Sequence, residues 1–118
     1  MKKFLAVYIG TQAAFEQYQR SFPDPQQRAV REKEGMAAWG EWVAKRGKSI
    51  VDTGAPLGRT KRIGKDGVSD IRNNLTAYTI VQAESHEAAA RLFEQHPHFT
   101  IFPGDSIEVM ECLPIPNA

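Results

Sequence analysis

Two histidines separated by one residue, His96 and His98, are the side chains of this sequence best suited to acid-base chemistry. Imidazole titrates near neutral pH, which is what a general acid or base requires. Both residues follow a predicted helix, whose C-terminal dipole favours imidazolium and would raise the pKa. We therefore expect one of them to transfer protons. The alternative is that both cap the helix end or face solvent.

A metal or organic cofactor is not expected. His96 and His98 supply two ligands, whereas a catalytic zinc normally takes three from the protein. Asp105 or Glu108 would complete the set only through an assumed geometry. The sequence also contains no glycine motif of the kind that cradles a cofactor phosphate.

Two carboxylates are candidate partners for a histidine. Asp52 ends a predicted strand and could orient an imidazole across a cleft, although a turn-initiating aspartate is the simpler interpretation. Glu108 alternates with Met110 and Cys112, so burial would raise its pKa, while an exposed edge position explains it equally well. Cys112 has no basic neighbour in sequence and is interpreted as a small buried residue.

A basic segment lies in the middle of the chain. Arg59, Lys61, Arg62 and Lys65 surround the hairpin signal Asp66-Gly67 and could bind an anionic ligand. The commoner role of such charges is to keep an exposed hairpin solvated and unable to aggregate.

Length and charge exclude several classes of protein. The 118 residues predict a single domain, residues 1–118, and the net charge of +1 gives no broad basic surface for nucleic acid or an anionic membrane. The apolar N-terminal run, Phe4 to Ile9, is too short for a signal peptide or a membrane span. With one cysteine, we expect a cytoplasmic protein.

The periodicity of the first half predicts a buried strand followed by a long helix. Phe4 to Ile9 is the strand, and the segment from Thr11 to Pro25 is expected to be a loop, with one short helix as the alternative. The helix runs from Gln26 to Arg46. The residues predicted to form its buried stripe are Ala29, Met36, Trp39, Gly40 and Val43. Trp42 lies outside this stripe and is expected to be partly exposed.

The second half predicts three further strands around a second helix. The strands are Ser49 to Asp52, Thr76 to Ala83 and Ser106 to Leu113, with the hairpin inserted over Arg59 to Ile71. The helix is capped by Ser85 and ends near Gln95. This β-α-β-hairpin-β-α-β order predicts a ferredoxin-like α+β fold with a four-stranded antiparallel sheet. Because Phe4 to Ile9 is apolar on both faces, we expect a homodimer that covers the second face.

Several short motifs carry a family resemblance over nearly the whole chain. They are the opening strand, Gly54-Ala55-Pro56-Leu57-Gly58, His96-Pro97-His98-Phe99 and Pro103-Gly104-Asp105-Ser106-Ile107-Glu108-Val109. The chain resembles the YCII-related proteins of the dimeric α+β barrel superfamily. The resemblance implies a dimer with a cleft between sheet and helices, and a His-Asp active site in some members. This chain lacks the first-helix histidine and the full Asp-Gly-Pro-Phe signature.

Two functions follow from these observations. The first is a small-molecule enzyme that uses His96 or His98 with Asp52 on an organic substrate in the sheet-helix cleft, by isomerisation, elimination or hydrolysis. The second is a non-catalytic dimeric module that binds a metabolite or a protein. A fold alone does not choose between them.

Overall fold

The computed structural model describes residues 1–116, so residues 117–118 of the predicted domain lie outside the described part. The elements in chain order are β1 (Lys2–Ile9), α1 (Gln12–Ser21), α2 (Pro25–Lys45), a 3-10 turn (Gly47–Ser49), β2 (Ile50–Asp52), β3 (Thr60–Gly64), β4 (Gly67–Ile71), β5 (Leu75–Ala83), α3 (His86–Arg91), α4 (Pro97–Thr100) and β6 (Ser106–Glu111).

The main sheet has the strand order β2-β5-β1-β6, with all neighbours antiparallel. Leaving out the inserted β3–β4 hairpin, this is the order of a ferredoxin-like fold, which confirms the predicted α+β class. β1 and β5 are the two inner strands, and the inner position of β1 agrees with its apolar residues on both faces.

One face of the sheet packs against the helices. Alternate residues of β1, Phe4, Ala6 and Tyr8, are fully buried there against Trp42 and Phe93. The residues between them point to the other side, which we call the open sheet face. It includes Leu5, Val7, Val51, Ile80 and Met110.

The segment after β1 forms one ten-residue helix, α1, and the Thr11 side chain caps it by accepting the N–H of Ala14 at 3.1 Å. The predicted buried face of α2 is wrong in part. Trp39 and Val43 pack against the core as predicted, but Gly35 and Trp42 are also inward, and Trp42 is only 8% exposed.

Of the two glycines in α2, Gly40 was predicted to be buried, but Gly35 is the buried one. Gly35 lies against the ring of Phe102, whereas Gly40 has open space around it. Met36, expected in the buried stripe, is 63% exposed. The Trp42 indole turns inward because its Nε1 donates to the carbonyl of Leu92 at 2.9 Å. A hydrogen-bonded indole therefore decides which way α2 faces.

The second half follows the prediction with two changes. α3 ends early, and a tight turn closes at Gln95, whose φ is +58°. β6 ends at Glu111, so Cys112 is exposed and its predicted burial is wrong. Among the described residues, no helix has the length and apolar character needed to cross a membrane.

Candidate functional site

The His96–Phe99 corner joins the end of α3 to the central strand. His98 is buried, and its Nε2 donates to the carbonyl of Ile9 at 2.8 Å. The same carbonyl accepts the N–H of Asp105 at 2.9 Å, and the N–H of Gly104 donates to the His98 carbonyl at 2.9 Å. Gly104 is needed here because a Cβ would collide with the imidazole. His98 thus fixes the segment that presents Asp105.

His96 lies in an aromatic cage and has no solvent-exposed surface. Its ring centroid is 4.5 Å from that of Trp39 and 4.6 Å from that of Trp42, with Tyr8 and Phe93 beside it. Its Nε2 has no hydrogen-bond partner within residues 1–116. The planes of Trp39 and Trp42 cross the imidazole plane at 89° and 68°, a setting for a weak N–H···π contact.

Burial lowers the pKa of both histidines. Burial, followed by the neighbouring charge of His98, lowers the pKa of His96 from 6.5 to about 3. Burial also lowers the pKa of His98, although the carbonyls of Ile9 and Ser106 and the charge of Asp105 oppose that shift. The predicted rise in pKa is wrong. Both residues are buried at the start of α4, so they do not stand at an exposed helix C-terminus.

Asp52 is not brought to either histidine. Its side chain is exposed and accepts the N–H of Gly54 at 2.8 Å, the turn role considered as the simpler interpretation. Asp52 pairs with Ile80, which lies opposite Leu5, whereas His98 contacts Ile9. Asp52 and the Ile9 carbonyl that His98 contacts are therefore separated by four residues along β1, roughly 13 Å, and by two strand spacings across the sheet, roughly 10 Å.

A side cleft opens between β6 and the helices, close to the His98 corner. It has a volume of about 380 Å³ and is lined by Ala90, Phe93, Glu94, Phe99, Asp105, Ser106, Ile107 and Val109. Five of these residues are apolar. The Ser106 hydroxyl donates to Asp105 Oδ2 at 2.9 Å, which orients the carboxylate. The cleft lies between the sheet and the helices.

A larger hairpin cavity, about 1000 Å³, lies at the base of the β3–β4 hairpin. It is lined by Leu57, Gly58, Arg59, Thr60, Lys61, Asp70, Ile71, Arg72, Asn73, Leu75 and Thr76. Of the four basic residues singled out in the sequence, Arg59 and Lys61 line it, whereas Arg62 and Lys65 do not.

The chain was compared with protein-family models, curated proteins and solved structures. No protein-family model and no curated protein matches the chain. A solved structure does, with a TM-score of 0.50 and 18% identity over 91% of this chain and 89% of the other. It is the 5-chloro-2-hydroxyhydroquinone dehydrochlorinase TftG from Burkholderia phenoliruptrix AC1100, in complex with 2,5-dihydroxybenzoquinone. The two chains share a fold.

Sequence reasoning pointed to Asp105 less strongly than to the histidines. It considered Asp105 as a possible third metal ligand and did not consider Glu94. Within the described residues, no group of three or more His, Cys, Asp or Glu side chains is arranged to hold a metal. Glu108, the other carboxylate considered, is exposed on the open sheet face. The Pro-Gly-Asp-Ser turn before β6 was the signal that could have identified Asp105.

Proposed function

We propose that this protein is a homodimeric small-molecule enzyme of the YCII-related type, in which Asp105 accepts a proton from a ring compound bound in the side cleft. One observation carries this proposal. A hydrogen-bonded carboxylate stands in an otherwise mainly apolar cleft between the sheet and the helices. Apolar walls with a few convergent polar groups are typical of ligand sites.

The charge of the side cleft selects the substrate class. Among the described residues, the charged side chains that line it are Asp105 and Glu94, and Glu94 Oε1 lies 3.0 Å from Arg91 Nη1. Asp105 is the carboxylate left without a cationic partner, and its charge repels an anionic ligand, so the cleft suits a neutral one. The rings of Phe93 and Phe99 favour a flat, apolar body. We infer a neutral ring compound with an ionisable hydroxyl group or an acidic C–H.

His98 has a positioning role in this proposal. Its bond to the Ile9 carbonyl and the adjoining backbone bond of Asp105 hold the carboxylate at a fixed distance from β1. Such preorganisation is what proton transfer requires. We assign proton transfer to Asp105, and none to His96 or Asp52. His96 is enclosed by aromatic rings, and Asp52 lies far from the cleft.

The reaction class follows from the proton acceptor. When Asp105 takes the hydroxyl proton of a substrate, the electron pair left on oxygen can move into the ring, which leads to isomerisation or elimination. The name of TftG, a dehydrochlorinase of a hydroxylated ring compound, supports the choice of a related probe. The probe is 2-hydroxyhydroquinone, which is neutral and flat.

The experiment follows exchange of probe ring protons with D₂O by NMR under anaerobic conditions. Deprotonation of a hydroxyl lets a ring carbon take a deuteron, and loss of the original proton restores the aromatic ring. We expect exchange above the protein-free rate and a loss of about 100-fold in Asp105→Asn. Glu108→Gln removes a carboxylate from the same strand on the other face of the sheet, and should exchange normally. Equal rates in Asp105→Asn and the unaltered protein would refute the proposal.

The homodimer is supported by the open sheet face. Leu5 pairs with Ile80 on one side and Met110 on the other, which places three apolar side chains in one row across the sheet. A contiguous apolar patch of this kind marks an interaction surface. A second copy of the chain provides an identical patch, and a two-fold axis would bring the two together.

A non-catalytic binding module is the second candidate. It is favoured by one observation, that neither the side cleft nor the hairpin cavity is lined by a histidine. It predicts that the probe binds in the side cleft without any acceleration of proton exchange. Binding with exchange supports the enzyme, and binding without exchange supports the module.

A further inference from the structure

Two arginines stand at the base of the hairpin without a compensating charge. Thr60 pairs with Ile71, and Arg59 and Arg72 are the residues just outside that pair. Within residues 1–116, neither arginine makes an ion pair. Both line the hairpin cavity.

The remaining charges of the cavity cancel. Lys61 Nζ is 2.7 Å from Asp70 Oδ1, so this cation and this anion neutralise each other. The cavity therefore has an excess of two positive charges, both guanidinium groups. Guanidinium binds a carboxylate through two parallel hydrogen bonds, which favours arginine over lysine at such sites.

Three apolar side chains form part of the cavity wall. Leu57, Ile71 and Leu75 are between 39% and 45% exposed and all line it. Several polar neighbours already have partners. Thr76 Oγ1 donates to the Tyr8 carbonyl at 2.9 Å, and the Asn73 side chain bonds to Thr60 and to the N–H of Leu75. The groups that remain for a ligand are two guanidinium forks and an aliphatic surface.

We infer that the hairpin cavity binds a small organic carboxylate with an apolar body, held by Arg59 and Arg72. The carboxylate lies between the two guanidinium groups and removes their mutual repulsion. The apolar body contacts Leu57, Ile71 and Leu75. This site shares no residue with the side cleft, so it goes beyond the proposed function and stands or fails independently of it.

The test is a titration of the full chain with benzoate, followed by ¹⁵N–¹H NMR. Benzamide has the same ring without the charge, acetate has the charge without the ring, and inorganic phosphate has charge alone. We expect benzoate to shift the amides of residues 57–61 and 70–76 and to bind about tenfold more tightly than each of the other three. Benzamide or phosphate binding as tightly as benzoate would overturn the inference, as would shifts confined to other residues.

Matched variants test the two arginines. Arg59→Gln and Arg72→Gln should each weaken benzoate binding about tenfold or more, because each removes a charge-assisted contact. Arg62→Gln is the control. Arg62 belongs to the same hairpin and does not line the cavity. Its Nη1 lies 3.8 Å from Asp66 Oδ1. If all three substitutions weakened benzoate binding equally, the effect would come from the net charge of the protein, and the proposed binding site would be wrong.

Discussion

His96 Nδ1 accepts the backbone N–H of His98 at 3.0 Å, so this ring nitrogen caps the first turn of α4. An accepting Nδ1 places the proton of the neutral imidazole on Nε2, which faces the aromatic cage. Protonation of Nδ1 would remove the cap and place a charge among Trp39, Trp42 and Phe93. The folded protein therefore keeps His96 neutral.

This relationship predicts that stability falls as the pH falls below neutrality. The unfolded imidazole titrates near 6.5, whereas the folded pKa of His96 is about 3. Between these values the unfolded state binds more protons, so the contribution of His96 is complete above pH 6.5 and is lost progressively as the pH falls toward 3. We expect titration of His96 to lower the free energy of unfolding by roughly 1 kcal/mol per pH unit in this range.

Denaturant unfolding between pH 7 and pH 5 measures this slope before most carboxylates titrate. His96→Asn keeps a side-chain acceptor for the His98 N–H and cannot become a buried cation. It should show a shallower slope than the unaltered protein, whatever its stability at pH 7. An unchanged slope would show that His96 does not titrate in the way its burial requires.

The two glycines of α2 should respond to alanine in opposite directions. A Cβ at Gly35 would lie 2.6 Å from Phe102 Cζ, whereas Gly40 has nothing within 4 Å. Gly40→Ala should stabilise the protein by about 1 kcal/mol through helix propensity alone. Gly35→Ala should destabilise it by about 1–3 kcal/mol through overpacking. Thermal unfolding of the two variants measures the difference, and stabilisation by both would contradict the packing of α2 on Phe102.

Gly54 determines how the loop before the hairpin follows β5. Its φ is +75°, and a Cβ would overlap the carbonyl oxygen of Tyr78. Gly54→Ala should therefore cost about 2 kcal/mol or more. Gly58→Ala is the control, because Gly58 lies in the same loop with open space around it. Chemical denaturation of both variants distinguishes them, and equal costs would contradict the close approach of Gly54 to β5.

The proposed homodimer predicts different effects for the same substitution at two methionines. Met110→Glu places a charge on the open sheet face, and Met36→Glu places one on the exposed side of α2. Both residues are exposed in the single chain, so neither substitution should unfold it. Sedimentation velocity should show a dimer for the unaltered protein and Met36→Glu, and a monomer for Met110→Glu. A dimer that persists in Met110→Glu would place the interface elsewhere.

The sequence predicted the fold better than it predicted the site. Strand order and the hairpin follow from local patterns, such as the apolar run of β1 and the Asp66-Gly67 turn. The inward face of α2 depends on a hydrogen bond between Trp42 and Leu92, fifty residues apart, which helical periodicity does not encode. Burial of His96 and His98 likewise depends on aromatic residues from two distant segments, Tyr8 of β1 and Trp39 and Trp42 of α2. The two histidines marked the His96–Phe99 corner as a candidate site, but their burial is visible only in the packed structure.

The most direct test of the side cleft is a ¹⁵N–¹H NMR titration with hydroquinone, a neutral ring compound, in the unaltered protein and in Asp105→Asn. The account predicts shifts centred on Phe99, Asp105 and Ile107, weaker binding in Asp105→Asn, and unchanged binding in the control Glu108→Gln. Shifts confined to the hairpin or the open sheet face, or equal affinity in all three proteins, would contradict it.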